Sequence, residues 1–479
     1  MTINRAWDKY APTYRKEEMK TMTKWIAEGR SCTVLGLGGS GKSNFLGFLS
    51  HHPKALQHYL PTSKGQTILI PVDLNNLVEN SLSILYRTIL RDFHENCTLF
   101  DEKYQLQISK LYFENRGTKD PFISQSALRE LFYTFQKDNI RIVLVLDRFD
   151  HFCEFATPVM FNTLRGFRDG FKSTLSYIIG MRQHPKYLPN LFVAGELYEI
   201  LDRHICWVGK MNEADAKRFI DEETFKATTP PSESAIKKII ELSGGYPSLL
   251  KAVCSWWLSA KDKDKVDWKT VLLEKHSIQH RLEEIWEGLT QEERSVLVEV
   301  LVLQEQSLQK NLAKRKIRSI KKECQKLAKN NYSTLNQLSA KRICYLRDID
   351  DKQIWYIDNE LLRAYIHING KYVRGKIYMD SEENNVYQGN VLLEKLDPLA
   401  KSALQFFIQN PYQQLKKTEI IFATWNHYNI ADANLHAVIG SIRKRIELNS
   451  SKPHYLHTWR GRHKTREGGY IFYPEGKPQ

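Results

Sequence analysis

The sequence predicts a multidomain chain: an α/β domain built on a parallel sheet, a helical segment after it, and two small domains, of which the C-terminal one combines three helices with a β-hairpin. Three observations lead to this prediction. A glycine-rich loop at 36–43 joins a short apolar run to an amphipathic stretch. Further apolar runs alternate with helical stretches as far as residue 182, a pattern typical of a parallel sheet. Three helical stretches and two strand-like runs then occupy 396–473.

Length, charge and cysteine spacing narrow the class of protein. At 479 residues the chain is too long for one hydrophobic core, so two to four domains are expected. The net charge of +15 favours a polyanionic partner, although a basic surface can also be inert. No apolar run reaches the roughly 18 residues of a membrane span, and the first residues do not form a signal peptide. The 7 cysteines are scattered without a CxxC pair, which argues against disulfides or zinc and fits a cytoplasmic protein.

The loop at 36–43 reads G-x-x-x-x-G-K-S and lies between a predicted strand (32–35) and a predicted helix (44–51). This context is typical of a P-loop, and it disfavours a glycine-rich turn that binds nothing. The glycines let backbone N–H groups point at a triphosphate, and the helix N-terminus adds partial positive charge. Lys42 would contact the β- and γ-phosphates of ATP, and the Ser43 hydroxyl would hold Mg²⁺. The predicted nucleotide contacts in this loop are Gly36, Gly38, Gly39, Ser40, Gly41, Lys42, Ser43 and Asn44.

A second acidic residue follows the apolar run 141–146, which predicts a buried strand with Asp147 at its carboxyl end. Asp147 would share the metal with Ser43. Asp150 is the predicted group that polarises a hydrolytic water, with Glu154 as an alternative. Because position 148 is arginine, the glutamate that usually follows this aspartate is absent, and the sequence predicts slow hydrolysis.

Two more apolar runs, 67–72 and 175–181, predict further strands. The second ends at Arg182. Ligands of open parallel sheets bind at the carboxyl ends of the strands, so Arg182 is a candidate sensor of the γ-phosphate, although it could also be an ordinary surface arginine.

This series of motifs resembles the signal-transduction ATPases with numerous domains (STAND), which are relatives of the AAA+ ATPases. The resemblance rests on the basic-acidic segment 14–19, on 147–150, on Arg182 and on Ser-Gly-Gly-Tyr-Pro at 243–247. It covers about 12–370. It implies an AAA+/STAND-like P-loop NTPase domain, a helical lid, and an approach of Pro247 to the adenine base.

The part after the lid predicts a middle winged helix. Thr290 and Glu293 form a capping box in front of an apolar run, so a helix is expected to begin there. Inside this region a dense basic run at 310–329 carries apolar residues at helical spacing. Its cationic face could contact phosphates or could simply be solvated, and the sequence leaves both open.

The C-terminal part predicts helices at 396–408, 416–425 and 433–448, followed by a hairpin with a basic tip. It resembles the winged-helix effector domain of OmpR/PhoB-type response regulators. The matching residues are Trp425, Ile442 to Ile446, Tyr455 to Thr458, Gly469 and Tyr470. This resemblance covers about 386–474 and implies a DNA-reading third helix beside a basic wing. A winged helix used for protein contacts is the alternative. The predicted DNA contacts are Asn434, Arg443, Lys444, Arg445, Arg460, Arg462, Lys464 and Arg466.

Together these features predict an ATP- and Mg²⁺-binding switch that controls binding to double-stranded DNA. A transcriptional regulator is the first interpretation. The alternatives are a replication, recombination or mobile-element ATPase similar to origin-recognition proteins, and an anti-phage STAND NTPase. A signal protein and a nucleotide-dependent homo-oligomer are predicted partners, and no membrane is expected. The predicted domains are the ATPase (1–210), the lid (211–275), the middle winged helix (276–370), a linker (371–385) and the C-terminal winged helix (386–479).

Overall fold

The computed structural model divides into two compact units, and each is described by itself. The first consists of Met1–Leu289, Asn336–Tyr345 and Asp358–Leu361, and the second of Thr290–Leu335, Leu346–Ile357 and Leu362–Gln479. The sequence-based domain boundaries stay predictions. The structure describes residues 7, 10–52, 54–60, 66–74, 77, 79–188, 195–260, 263, 265–308, 314–349, 352–369, 375–380, 385–388, 391–393, 396–447, 453–460 and 468–477.

The first unit contains a five-stranded sheet in the order β2-β3-β4-β1-β5, and every neighbouring pair is parallel. The predicted parallel sheet is therefore confirmed. Strand β4 lies between β1 and β3, so the carboxyl ends of these three strands meet at one edge. The strands are β1 (Cys32–Leu35), β2 (Thr67–Asp73), β3 (Arg141–Asp147), β4 (Leu175–Met181) and β5 (Ile205–Trp207).

Helices connect these strands. They are α1 (Lys16–Ala27), α2 (Lys42–His51), α3 (Leu82–Glu95), α4 (Glu102–Asn115), α5 (Pro121–Lys137), α6 (Phe149–Phe155), α7 (Pro158–Gly170) and α8 (Tyr198–Arg203). The sequence does not assign a role to 78–135, and the structure forms α3, α4 and most of α5 there. The Ser81 hydroxyl accepts from the Ile84 N–H at 3.3 Å and begins α3. Phe93, Phe132 and Phe135 of these helices are buried in the same core as the strands.

Five further helices of this unit form the segment that the sequence predicts as a lid and continue just past its end. They are α9 (Glu213–Thr224), α10 (Glu233–Ser243), α11 (Pro247–Ser259), α12 (Trp268–Leu273) and α13 (His276–Glu287). Asn212 and Ser232 cap α9 and α10 through side-chain oxygens. Helix α10 ends at Gly244, whose φ of +60° is left-handed, and Pro247 occupies the first turn of α11.

The middle region of the chain contains α14 (Gln291–Ser307), α15 (Lys314–Asn330), α16 (Tyr332–Ala340), β6 (Tyr345–Ile349), β7 (Lys352–Tyr356) and α17 (Glu360–Asn369). The predicted capping box is confirmed: Glu293 N–H donates to Thr290 Oγ1 at 3.2 Å, and Thr290 N–H donates to Glu293 Oε2 at 2.8 Å. Helix α15 covers most of the basic run. It buries Ile320, Cys324 and Leu327, as the helical spacing predicts.

The C-terminal region adds two three-stranded sheets, β10-β9-β8 and β11-β13-β12, around three helices. Its elements are β8 (Ile377–Met379), β9 (Val386–Gln388), β10 (Val391–Leu392), α18 (Pro398–Gln409), β11 (Leu415–Lys416), α19 (Lys417–Trp425), α20 (Asp432–Ile446), β12 (Leu456–Arg460) and β13 (Gly468–Phe472). The three helices and the hairpin confirm the predicted winged helix. Strand β8 lies within the predicted linker, and its Ile377 belongs to the C-terminal core. Among the described residues no helix is long and apolar enough to cross a membrane.

Candidate functional site

The glycine-rich loop runs from the end of β1 to the start of α2 and has the backbone that its sequence predicts. Gly39 and Gly41 have φ values of +71° and +83°, in the left-handed region that side chains other than glycine rarely adopt. A Cβ on Gly36 would lie 2.4 Å from Ser40 Oγ and 2.8 Å from the Val208 carbonyl oxygen. The loop is therefore a tight turn that accepts only glycine at these positions.

Lys42, Ser43 and Asp147 meet at the carboxyl edge of the sheet. The Lys42 ammonium donates to Asp147 Oδ1, and the side chains are only 8% and 23% exposed. Burial alone would raise the pKa of Asp147, but the charge of Lys42, together with hydrogen bonds from Lys42, Ser43 and the Arg148 N–H, lowers it overall. Asp147 is thus ionised at neutral pH, and its carboxylate accepts a hydrogen bond from the Ser43 hydroxyl. Hydroxyl and carboxylate oxygens are the kind of ligand that Mg²⁺ takes.

Gly180 on β4 is a residue of the site that the sequence does not indicate. A Cβ there would lie 2.6 Å from Asp147 Oδ1, 2.7 Å from Leu46 Cδ1 and 3.2 Å from Lys42 Nζ. The ion pair between Lys42 and Asp147 therefore passes directly over a position where any side chain would displace it. No local signal marks this glycine, because its neighbours come from β3 and α2.

We expect Gly180→Ala to weaken ATP binding about tenfold and to destabilise the unit by about 1–3 kcal/mol, since the added methyl overpacks the ion pair. Isothermal titration and thermal melting measure the two effects. The control is Gly166→Ala in α7, where a Cβ meets nothing within 4 Å and should stabilise the helix slightly. Equal ATP affinity in both variants would show that the ion pair does not shape the site.

The loop lines a cleft of about 780 Å³, here called the P-loop cleft. Its size is that of a small-ligand site. All eight predicted nucleotide contacts of the loop line it, and so do Asp150, Arg182 and Pro247. The other lining residues are not predicted from the sequence: Trp7, Tyr10, Leu37, Arg148, Phe219, Glu223, Ser248, Lys251, Arg281 and Glu284.

The N-terminus of α11 touches the loop backbone. The Ser248 N–H donates to the Gly39 carbonyl oxygen at 3.1 Å. A Cβ on Gly41 would be 3.3 Å from Cγ of Pro247, so the proline ring packs against the loop. The Gly-Tyr-Pro element, whose role the family resemblance implies, therefore lies at the predicted nucleotide site.

Arg15 connects the loop to the lid, and it too was missed as a site residue. It is 1% exposed, with a left-handed φ of +54° at the start of α1. One guanidinium nitrogen donates to the Ser40 carbonyl oxygen at 2.9 Å and the other to the Gly209 carbonyl oxygen at 2.8 Å. Its backbone N–H donates to Asp215 Oδ2 of α9 at 3.0 Å. A buried arginine that bonds three segments in this way fixes their relative positions.

The contacts of Arg15 continue to a distant part of the sequence. Glu18 lies 3.6 Å from Arg15 and 3.1 Å from Arg342, and it is 5% exposed. Arg342 precedes β6, and after β7 Asp358 accepts from the Lys210 ammonium. The next residue, Asn359, donates to the Ser243 carbonyl oxygen at 2.8 Å. These contacts lie within the first unit, and they hold the chain immediately before and after residues 346–357.

In the C-terminal region the predicted DNA contacts separate into three groups. Asn434, Lys444 and Arg445 are exposed on α20. Arg443 instead donates to the Leu456 carbonyl oxygen at 2.7 Å from one nitrogen and at 3.0 Å from another, and it also contacts Thr458. The side chain of Arg460 and all of Arg462, Lys464 and Arg466 lie outside the described residues. Arg443 therefore joins α20 to β12, and its contact with DNA stays a prediction, as do the contacts of the other seven residues.

Glu447, directly after α20, organises the return of the chain to β12. Its buried carboxylate accepts from the N–H groups of His454, Tyr455 and Leu456 at 2.6, 2.8 and 2.8 Å. Because Glu447 follows the end of α20 and bonds the chain at the start of β12, its carboxylate sets the position of the hairpin beside the helix. The sequence offers no pattern that identifies it.

The basic run in the middle region presents Lys321, Lys322, Lys326 and Lys329 as exposed side chains of α15. The side chains before residue 320 in this run are outside the described part. Both interpretations of the run, phosphate contact and solvated face, thus stay predictions.

One family matches part of the chain, and several solved structures resemble it in fold. Residues 394–463 match the family described as "Transcriptional regulatory protein, C terminal". No curated protein matches the chain at the significance level applied. Similar solved structures include the Walker-type ATPase PABY2304 of Pyrococcus abyssi, at 15% identity, 74% of this chain, 95% of that chain and a TM-score of 0.42. Cdc6p from Pyrobaculum aerophilum (13% identity, 75% and 93%, TM-score 0.34) and the ORC2 protein of Aeropyrum pernix (12%, 77% and 99%, 0.38) are others.

At these low identities and TM-scores, nothing that those proteins do is carried over to this chain. The class of protein follows from the sheet order, the P-loop and the family match. The chain joins a P-loop NTPase domain of parallel α/β architecture to a C-terminal winged helix of the transcriptional-regulator type.

Proposed function

We propose that this protein binds ATP with Mg²⁺ in the P-loop cleft and that the bound nucleotide controls DNA binding by the C-terminal winged helix, as in a transcriptional regulator. The observation that supports the proposal is the buried Lys42–Asp147 pair beside Ser43, because an ammonium suited to phosphate and a carboxylate suited to Mg²⁺ lie side by side there. The family match at 394–463 supports the DNA-binding half.

The residues present fit ATP and Mg²⁺. The loop N–H groups and Lys42 would hold the phosphates, Ser43 and Asp147 would hold the metal, and Arg182 at the end of β4 would face the γ-phosphate. Pro247 and the aromatic side chains that line the cleft (Trp7, Tyr10 and Phe219) would pack against the adenine base. When bound, ATP supplies a phosphoanhydride bond whose hydrolysis can reset the switch. Asp150, half-buried at the cleft, is the group we assign to orient the attacking water.

A route from the nucleotide to the rest of the chain runs through Arg15. Since Arg15 bonds Ser40 of the loop and contacts Glu18, and Glu18 contacts Arg342, a shift in the loop backbone changes buried charged contacts. Because Arg15 and Glu18 are both buried, removing one partner of that pair is costly, and the two residues are expected to shift together. We propose that this group transmits the nucleotide state toward residues 346–357.

The exposed basic residues of α20 give a direct test of the DNA-binding half. We expect the double variant Lys444→Ala/Arg445→Ala to lose about tenfold to a hundredfold in DNA affinity and to show a salt dependence lowered by about one to two units of slope, since each phosphate contact releases counterions. Fluorescence anisotropy with selected genomic fragments measures both. Lys477→Ala, an exposed lysine outside α20, is the matched control.

An unchanged affinity and slope in the double variant would contradict the assignment of α20 to DNA. Footprinting of the selected fragments then separates the functional alternatives. Protection at promoters supports a transcriptional regulator, whereas protection at replication origins or element ends supports the replication or mobile-element interpretation. The signal protein and the homo-oligomer stay predictions from the sequence.

A further inference from the structure

A second cavity lies beside the P-loop cleft, between one face of α11 and the first half of α13, and it is here called the lid cavity. Its volume is about 630 Å³. Helix α11 contributes Ser248, Lys251, Ser255 and Ser259, which recur every three to four residues and therefore share one face. Both helices belong to the first unit. Apart from Ser248, Lys251 and Arg281, its lining residues lie outside the P-loop cleft.

The lid cavity is lined by basic side chains: Lys251, Lys275, His276, His280 and Arg281, and none of its lining residues in the described part of the chain is acidic. Arg281 pairs with Glu284 at 2.7 Å, but among the described residues no salt bridge occupies Lys251 or Lys275. Two lysines without an acidic partner at one concave surface repel one another, and an anion reduces that repulsion.

Backbone and aromatic groups add to this. Helix α13 begins at His276 inside the cavity, and its N-cap residue Lys275 makes no side-chain cap. No side chain at the N-cap competes for the first N–H groups of this helix, and a helix N-terminus of this kind favours an anion. Trp256 is fixed at the wall by an edge-to-face contact with Trp268, with ring centroids 5.2 Å apart. A planar apolar ring next to clustered cations suits a nucleoside phosphate.

The lid cavity also shares a wall with the P-loop cleft. Ser248, Lys251 and Arg281 line both. The Ser248 N–H bonds the Gly39 carbonyl oxygen, while its hydroxyl oxygen is shielded from solvent and has no hydrogen-bond partner among the described residues. A group that binds at this wall therefore acts directly on the contact between α11 and the loop.

We infer that the lid cavity binds a second, phosphate-bearing small molecule, of the nucleoside phosphate class, that carries at least two negative charges. Binding does not depend on the proposed function, but its consequence does: the ligand sets how firmly α11 holds the P-loop and so changes ATP affinity. By thermodynamic linkage ATP changes the affinity of the ligand by the same factor.

The test uses the full chain as the Lys42→Ala variant, in which the P-loop no longer holds phosphates, and two probes. Adenosine 3′,5′-bisphosphate carries both phosphates and a base, and inorganic pyrophosphate carries charge alone. In isothermal titration we expect one site for the bisphosphate in Lys42→Ala. Adding Lys275→Glu or His280→Glu should weaken it at least about tenfold, since each reverses or removes a phosphate contact. Both positions are exposed and lie outside the P-loop cleft.

Lys16→Glu, an exposed lysine on α1 that does not line the cavity, is the charge-matched control and should leave binding unchanged. Weaker binding of pyrophosphate than of the bisphosphate supports a role for Trp256, and Trp256→Leu should then equalise the two probes. The inference is overturned if Lys42→Ala binds neither probe, or if the cavity variants bind as Lys16→Glu does. Because ATP binding by the wild type is measured separately, failure of the lid cavity is distinguishable from failure of the P-loop site.

Discussion

Lys42→Ala lowers the affinity of the chain for ATP at least about a hundredfold. Lys42 is the cation placed at the end of the loop, and charge-assisted hydrogen bonds to two phosphates contribute about 1.5–3 kcal/mol each. The substitution also leaves the ionised Asp147 without its partner, so Mg²⁺ alone has to offset that charge. Titration of the purified chain with a fluorescent ATP analogue measures the loss.

The matched control for this prediction is Lys54→Ala, which removes an exposed lysine shortly after α2. It should bind ATP like the wild type. If Lys42→Ala binds ATP within threefold of Lys54→Ala, the loop does not hold a triphosphate, and the proposed nucleotide switch fails with it.

Glu447→Ala destabilises the C-terminal winged helix by about 3–5 kcal/mol. The reason is that three N–H groups lose their common acceptor, and each buried donor left without a partner costs about 1–3 kcal/mol. Hydrogen exchange across 396–477 is the measurement, because it reports this region separately from the rest of a multidomain chain. We expect protection to fall throughout α20 and β12.

Glu419→Ala provides the comparison for that experiment. Its carboxylate accepts a single exposed N–H, from Lys416 at 2.7 Å, at the start of α19. Losing one such cap costs about 1 kcal/mol. If both variants lose protection equally, the three hydrogen bonds that Glu447 accepts are not what positions the hairpin.

The elements of the fold could be predicted wherever one local pattern decides the structure. Strand β3 is a continuous apolar run that ends at Asp147, and β4 ends in the same way before Arg182. Helix α14 begins at a capping box that the four residues from Thr290 to Glu293 identify in the sequence. The loop around Lys42 combines required glycines with a flanking strand and helix. In each case the determining residues are neighbours in the sequence.

The missed parts of the site depend on residues that are far apart in the chain. Arg15 bonds Asp215, 200 positions away, and nothing near Arg15 indicates that it is buried. Gly180 matters because Asp147 and Lys42 converge over it. Arg443 has the sequence context of a DNA-reading arginine, and its bond to the β12 backbone is a further role that the sequence does not indicate. Such roles appear only when the three-dimensional partners are known.

The central claim is that the nucleotide in the P-loop cleft controls DNA binding by α20 and its hairpin. The most direct measurement is the DNA affinity of the full chain, by anisotropy, with ATP and Mg²⁺, with ADP and Mg²⁺, and without nucleotide, in the wild type and in Lys42→Ala. We predict that the wild type changes its DNA affinity at least about fivefold between ATP and ADP, the lower range of an allosteric coupling. Lys42→Ala should show one affinity in all three conditions. Identical affinities for the wild type in all three conditions would contradict the claim.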